Sequence, residues 1–90
     1  MEVKSIAIIG AGTMGNGIAQ VCALSGLQVR MVDIADAAVQ RGLSTVSKSL
    51  DRLVAKDKLK PADKDAVLGR IAGGTDYAAL ADCDLVIEAA

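Results

Sequence analysis

Four short apolar runs and two amphipathic stretches set the frame of this chain. Ile6-Ala7-Ile8-Ile9 is continuous and runs into Gly10, as a strand buried on both faces would. Met14, Ile18, Val21 and Cys22 follow at helical spacing, and a second apolar run, Val29 to Val32, closes on Asp33. Val39, Leu43, Val46, Leu50 and Leu53 then alternate four and three apart, which predicts one long amphipathic helix over about residues 35–59. Asp33 and Asp36 at its start and Lys56, Lys58 and Lys60 at its end both suit the helix dipole. Pro61 fits the first turn of a further helix anchored by Val67, Leu68 and Ile71, so a helical hairpin is expected between the second and third strands.

The third strand should lie near residues 70–75, where Gly73 and Gly74 weaken the strand pattern. Asp76 can cap a short turn through Tyr77 and Leu80, and Asp84-Leu85-Val86-Ile87-Glu88 reads as a buried strand. Strands that alternate with helices imply a parallel sheet, and right-handed crossovers place the strands in the order 3-2-1-4. The expected architecture is therefore α/β: part of a doubly wound sheet with a long helical insertion between strands two and three. Such a sheet ordinarily continues past strand four, so the 90 residues read as the N-terminal portion of a larger dinucleotide-binding domain. The uncovered edge of strand four then predicts self-association, by edge pairing or by exchange of an element between copies.

The candidate chemistry sits at the first turn, Gly10-Ala11-Gly12-Thr13-Met14-Gly15. After a strand and before a helix, these glycines have separate tasks: Gly10 for the tight turn, Gly12 for room against bare backbone, and Gly15 for close packing of helix on strand. A diphosphate would meet unpaired N–H groups and the positive end of the helix dipole, with no need of a lysine or arginine. Asp33 lies 18 positions beyond Gly15 at the end of the next strand, where a carboxylate can accept hydrogen bonds from both hydroxyls of an adenosine ribose. A 2′-phosphate there would meet like charge. Ile34 and Ala35 follow, with Arg30 the nearby arginine in sequence, so NAD is favoured over NADP. Asp33 can also cap the next helix, and the two roles are compatible. These features read together as part of a Rossmann-type fold.

Composition narrows the partners. The chain has 10 basic and 11 acidic residues, a net charge of −1, and Tyr77 as its one aromatic, so no cationic surface or stacking platform for nucleic acid is expected. No apolar run approaches the length of a membrane span, and no signal peptide is recognisable. Cys22 falls on the apolar stripe of the first helix and Cys83 in a polar connection. Their spacing matches no metal or redox motif, and a reducing, cytoplasmic setting is the default. The sequence contains no histidine.

The stretch from Ile6 through Gln20, with Met31-Val32-Asp33-Ile34, Ser49 through Lys56 and Asp84 through Ala89, resembles the N-terminal part of the 3-hydroxyacyl-CoA dehydrogenases, especially the bacterial 3-hydroxybutyryl-CoA dehydrogenases. The resemblance spans the chain. It implies an oxidoreductase of fatty acid metabolism that moves a hydride between C3 of an (S)-3-hydroxyacyl-CoA and NAD. It further implies that Ser49 and Lys56 contact the CoA portion, and that Ala89 and Ala90 let the chain pass close to the adenosine half of the cofactor. The family's acid/base histidine has no counterpart here, so no catalytic residue is assigned and these residues are expected not to turn over. Two alternatives stay open from sequence: a nucleotide-sensing module built on the same glycine loop, and an NADP-dependent β-hydroxyacid dehydrogenase, which Asp33 disfavours.

Overall fold

The computed structural model describes residues 2–89. Strand β1 (Ser5–Ile9) passes through the glycine turn into α1 (Thr13–Leu24), β2 (Gln28–Val32), the long α2 (Asp36–Ala55), α3 (Pro61–Gly69) and β3 (Ile71–Gly74). A 3-10 turn, Tyr77–Asp82, opens on Asp76, whose carboxylate accepts from the Ala78 N–H, and leads to β4 (Leu85–Glu88). The strands pair in parallel in the order β3-β2-β1-β4, as right-handed crossovers require. Parallel register places Ile8, Met31, Gly73 and Ile87 in one row on one face of the sheet. That face receives the helices: Ile6, Ile8, Val29, Met31 and Ile71 join Ala19, Ala23, Val39, Val46, Leu50 and Val67 in the core.

Close approach, more than apolar bulk, decides which helix positions are buried. On α1 the buried positions are Gly15, Ala19 and Ala23, one turn apart, while Met14 and Val21 are 67% and 63% exposed. The expected stripe of Met14, Ile18, Val21 and Cys22 is thus corrected: α1 lies too near the sheet for large side chains, and only Ile18 and Cys22 are partly buried at its margin. Gly73 has a similar cause. A Cβ there would come 2.6 Å from Val39 Cγ1, so the glycine that weakened the strand pattern is what lets α2 lie on β3. Arg70, after α3, donates from its guanidinium to the Ala23 carbonyl at 2.8 Å and so ties α3 to the end of α1.

Two boundaries and the burial of one strand differ from expectation. Helix α2 ends at Ala55 because Asp57 adopts φ 56°, and the Lys58 and Asp57 N–H groups donate back to Leu53 and Val54 at 2.9 and 3.1 Å, a Schellman closure. Lys56, Lys58 and Lys60 therefore lie past the helix, leaving Arg52 in its last turn. Ile71 opens β3 and does not anchor α3, since α3 stops at Gly69. Strand β4 is an edge strand and not a buried one: Leu85 and Val86 are 45% and 44% exposed, with β1 its sole strand neighbour among the described residues.

β4 is fastened to β1 at its start by Asp84. Its Oδ2 accepts from the Lys4 and Ser5 N–H groups at 2.8 and 3.1 Å, and its own N–H donates to the Ser5 carbonyl at 3.1 Å. The two backbone donors hold the Asp84 carboxyl below the usual aspartate range. A carboxyl acidified by folding stabilises the fold above its unfolded value, about 3.9, and that contribution is lost as pH falls through the folded value. Asp84→Asn is expected to lower the thermal midpoint at pH 7 by a few degrees and to flatten its decline on acidification. Wild-type and variant midpoints that stay parallel from pH 7 to pH 3 would contradict this.

Candidate functional site

The glycine turn is built from backbone on all sides. Gly10 holds φ 106°, which returns the chain from β1 toward α1, and its N–H donates to the Val32 carbonyl at 2.7 Å, so the turn is bound to the end of β2. Helix α1 begins with Gly12 as N-cap. No side chain caps it and no acid stands in its first turn. The opening N–H groups of the helix, which have no intrahelical acceptor, are left for an anion. A Cβ at Gly12 would meet no heavy atom within 4 Å, whereas one at Gly15 would overlap the Gly10 carbonyl oxygen. Gly12 therefore opens on free space above the helix end, and Gly15 is fixed by packing. A dinucleotide's diphosphate fits the first and would not be helped by the second.

Asp33, just past β2, holds the other side of the turn. Its Oδ2 accepts from the Ala11 N–H at 3.0 Å and its Oδ1 from the Ala35 N–H at 3.2 Å. The Ala11 bond is the first cause of a carboxyl held below the usual aspartate range. Ala35 comes next; desolvation opposes them, and Ile34 and then the positive charge of Arg41 add smaller lowering contributions. Each carboxylate oxygen has capacity for a further acceptor bond, so two ribose hydroxyls can be taken without releasing either backbone donor. Asp33 does steady the entry to α2 through Ala35, the α2 N-cap, but its bond to Ala11 is a connection that sequence spacing did not reveal.

Two residues of α2 complete the surroundings. Gly42 packs beneath the turn, since a Cβ there would come 2.7 Å from the Ala11 carbonyl oxygen. Arg41 joins Ala11, Gly12, Thr13, Asn16, Ala38 and Thr45 around a cavity of about 230 Å³. Ile34 and Ala35, which follow Asp33, bring no cation, whereas Arg41, further along α2, reaches the cavity beside the turn. Its signal was the helical spacing of Ala38, Arg41, Gly42 and Thr45, one face of α2. Arg30, the arginine near in sequence, lines a different cavity with Val32, Ala72, Gly74 and Asp76.

The remaining residues singled out from sequence are distributed as follows. Thr13 and Met14 form the first turn of α1, with Met14 exposed. The Ala89 N–H donates to the Ile9 carbonyl at 2.8 Å, which brings the end of β4 beside the turn, while Ala90 lies outside the described residues. Ser49 is half-buried on α2, and Lys56 is exposed at the C-cap of that helix. A larger cavity of about 540 Å³ opens at the turn between α2 and α3, lined by Val54, Asp57, Lys58, Leu59, Lys60, Pro61 and Asp63, and includes none of these residues.

Fold and turn together define a dinucleotide-binding domain of the doubly wound α/β class. The profile of the 3-hydroxyacyl-CoA dehydrogenase NAD-binding domain matches residues 5–90, and the chain belongs to that family. A 3-hydroxybutyryl-CoA dehydrogenase of Bradyrhizobium diazoefficiens is 42% identical over 88 residues, which is 98% of this chain and 30% of that protein. A probable 3-hydroxybutyryl-CoA dehydrogenase of Deinococcus radiodurans is 50% identical over 91% of this chain and 29% of its own length. The crystal structure of an (S)-3-hydroxybutyryl-CoA dehydrogenase from Ralstonia eutropha superposes with a TM-score of 0.97 at 60% identity, covering 99% of this chain and 31% of that one. The chain thus spans about three tenths of the length of these relatives.

Gly12 at the N-cap of α1 and Gly15 within the helix give a direct contrast. Gly15→Ala is expected to cost about 1–3 kcal/mol in urea unfolding, because helix and turn must separate to admit the methyl. Gly12→Ala should cost no more than about 1 kcal/mol, the scale of an N-cap change. Equal losses at the two positions would contradict the packing described.

Proposed function

We propose that this chain is the NAD-binding portion of a dehydrogenase that interconverts (S)-3-hydroxyacyl-CoA, with 3-hydroxybutyryl-CoA the substrate to test first, and the 3-ketoacyl-CoA. The observation that carries the proposal is the pinned Asp33 carboxylate beside an uncapped helix end that opens on free space at Gly12. In this reading the backbone of Gly10, Ala11, Gly12, Thr13, Met14 and Gly15 cradles the diphosphate, Asp33 takes the ribose hydroxyls, and the chain at Ala89 passes the adenosine half. Bound NAD supplies the acceptor for a hydride from C3 of the substrate. Ser49 and Lys56 would face the CoA portion, the lysine as a point charge for a phosphate and the serine as a hydroxyl partner. The names of the relatives support the substrate class.

Oxidation of the C3 alcohol also releases a proton. No histidine is present to take it, so these residues bind and orient and do not perform the proton transfer. Asp33 keeps its charge through the neutral and mildly acidic range, and affinity for NAD should be flat there.

Calorimetric titration tests the ribose assignment. Wild type is expected to bind NAD⁺ in preference to NADP⁺, and Asp33→Ala to weaken NAD⁺ binding about 10- to 100-fold, the scale of charge-assisted hydrogen bonds. Equal affinity for the two nucleotides, or undiminished affinity in the variant, would overturn it.

A further inference from the structure

Between Lys4 and Arg30 the chain carries no charged residue, and the whole of α1 falls inside that run. With Gly15, Ala19 and Ala23 turned to the sheet, a surface helix ordinarily presents charged and polar side chains on its opposite side. On α1 the opposite side is Met14, Gly17, Val21 and Leu24, spaced three, four and three apart along one stripe, and all four are exposed. Gly17 has none of the tasks of the glycines near it. Its φ is not positive and a Cβ there would meet no heavy atom within 4 Å, yet a glycine inside a helix is less stable than an alanine. A helix without charge that is apolar both toward the sheet and away from it has a second surface to bury.

We propose that this stripe docks against the same stripe of a second copy of the chain, the two helices lying antiparallel across a two-fold axis. The pattern is its own complement: with the axis at the level of Ala19, Val21 of one copy meets Gly17 of the other, and Met14 meets Leu24. Each valine thus stands opposite a glycine, which lets the two helices approach closely. Leu24 also lines a cavity of about 240 Å³ with Leu59 and Val67, space that the flexible, unbranched Met14 of the other copy can enter. The charges suit a homotypic contact as well: the two helices bring no like charges together, and their opposed dipoles attract. The other exposed apolar element, β4, lacks this self-complementarity. Paired antiparallel with its own copy about Val86, it sets Asp84 of each chain against Glu88 of the other, and like charges directly opposite are destabilising.

Sedimentation equilibrium of the 90-residue chain over a wide concentration range tests the contact. Wild type is expected to show a reversible equilibrium of monomer and dimer without added nucleotide. Val21→Lys is expected to weaken the dimer at least about 10-fold, and so is Gly17→Leu, which adds bulk where the other helix must approach. Both positions face solvent in the single chain, so circular dichroism should find these variants folded, and Gly17→Ala should raise the thermal midpoint of the monomer. A mixture of Val21→Lys and Val21→Glu chains should recover association that neither shows alone, since the introduced charges stand about one helical turn apart across the axis. A merely weakened helix would not be rescued in this way. A wild type that stays monomeric at millimolar concentration overturns the inference. A dimer indifferent to positions 17 and 21 but abolished by Val86→Lys also overturns it, in favour of the β4 edge.

Discussion

The bond from the Ala11 N–H to Asp33 Oδ2 is the connection on which the site depends. It spans 22 residues and joins the turn after β1 to the residue after β2, next to the Gly10 to Val32 backbone bond. Parallel register, with Ile9 opposite Val32, brings those two chain ends together, and the carboxylate closes the gap between them. A glycine-rich turn has much conformational entropy to lose on binding an anion. Fixing it in advance with two backbone bonds removes part of that loss, so the cradle is formed before a ligand arrives.

Long-range contact, not local pattern, separates what the sequence disclosed from what it hid. Gly10, Gly12, Gly15 and Asp33 were legible because their tasks follow from neighbours in the βαβ unit, and sheet order followed from the hand of the crossovers. Gly42 and Gly73 were silent, since their need for a missing side chain arises only when α2 lies against the turn and against β3. The buried face of α1 was misjudged for a related reason: apolar periodicity assumes that larger side chains go inward, and at this separation Gly15, Ala19 and Ala23 go inward instead. The end of α2 depended on Asp57 entering the left-handed region, which aspartate permits but does not announce. Arg41 was hidden because it stands eight residues beyond Asp33 in sequence, and α2 alone brings it beside the glycine turn.

Helix α2 links the parts of the account. Its inner face carries Val39, Val46 and Leu50 into the core, and Gly42 sets its distance from the turn. Its N-terminal half presents Arg41 and Thr45 to the cavity, and Ser49 and Lys56 follow toward its far end. A dinucleotide bound at the turn would therefore rest beside the same helix that sets the turn's distance from the core. The opposite face of the sheet exposes Arg30, Ala72 and Val86, and Asp82 of the 3-10 turn borders a cavity there with Arg30 and Ala72.

Nuclear magnetic resonance of the Ala11 amide tests the central claim most directly. With the ligand-free protein, the Ala11 N–H resonance is predicted to titrate with a midpoint below the ordinary aspartate range, and to lose that transition in an Asp33→Asn protein whose other amides are unchanged. An Ala11 amide that exchanges rapidly with water and does not respond to protonation at position 33 would show that the turn is not held by this carboxylate.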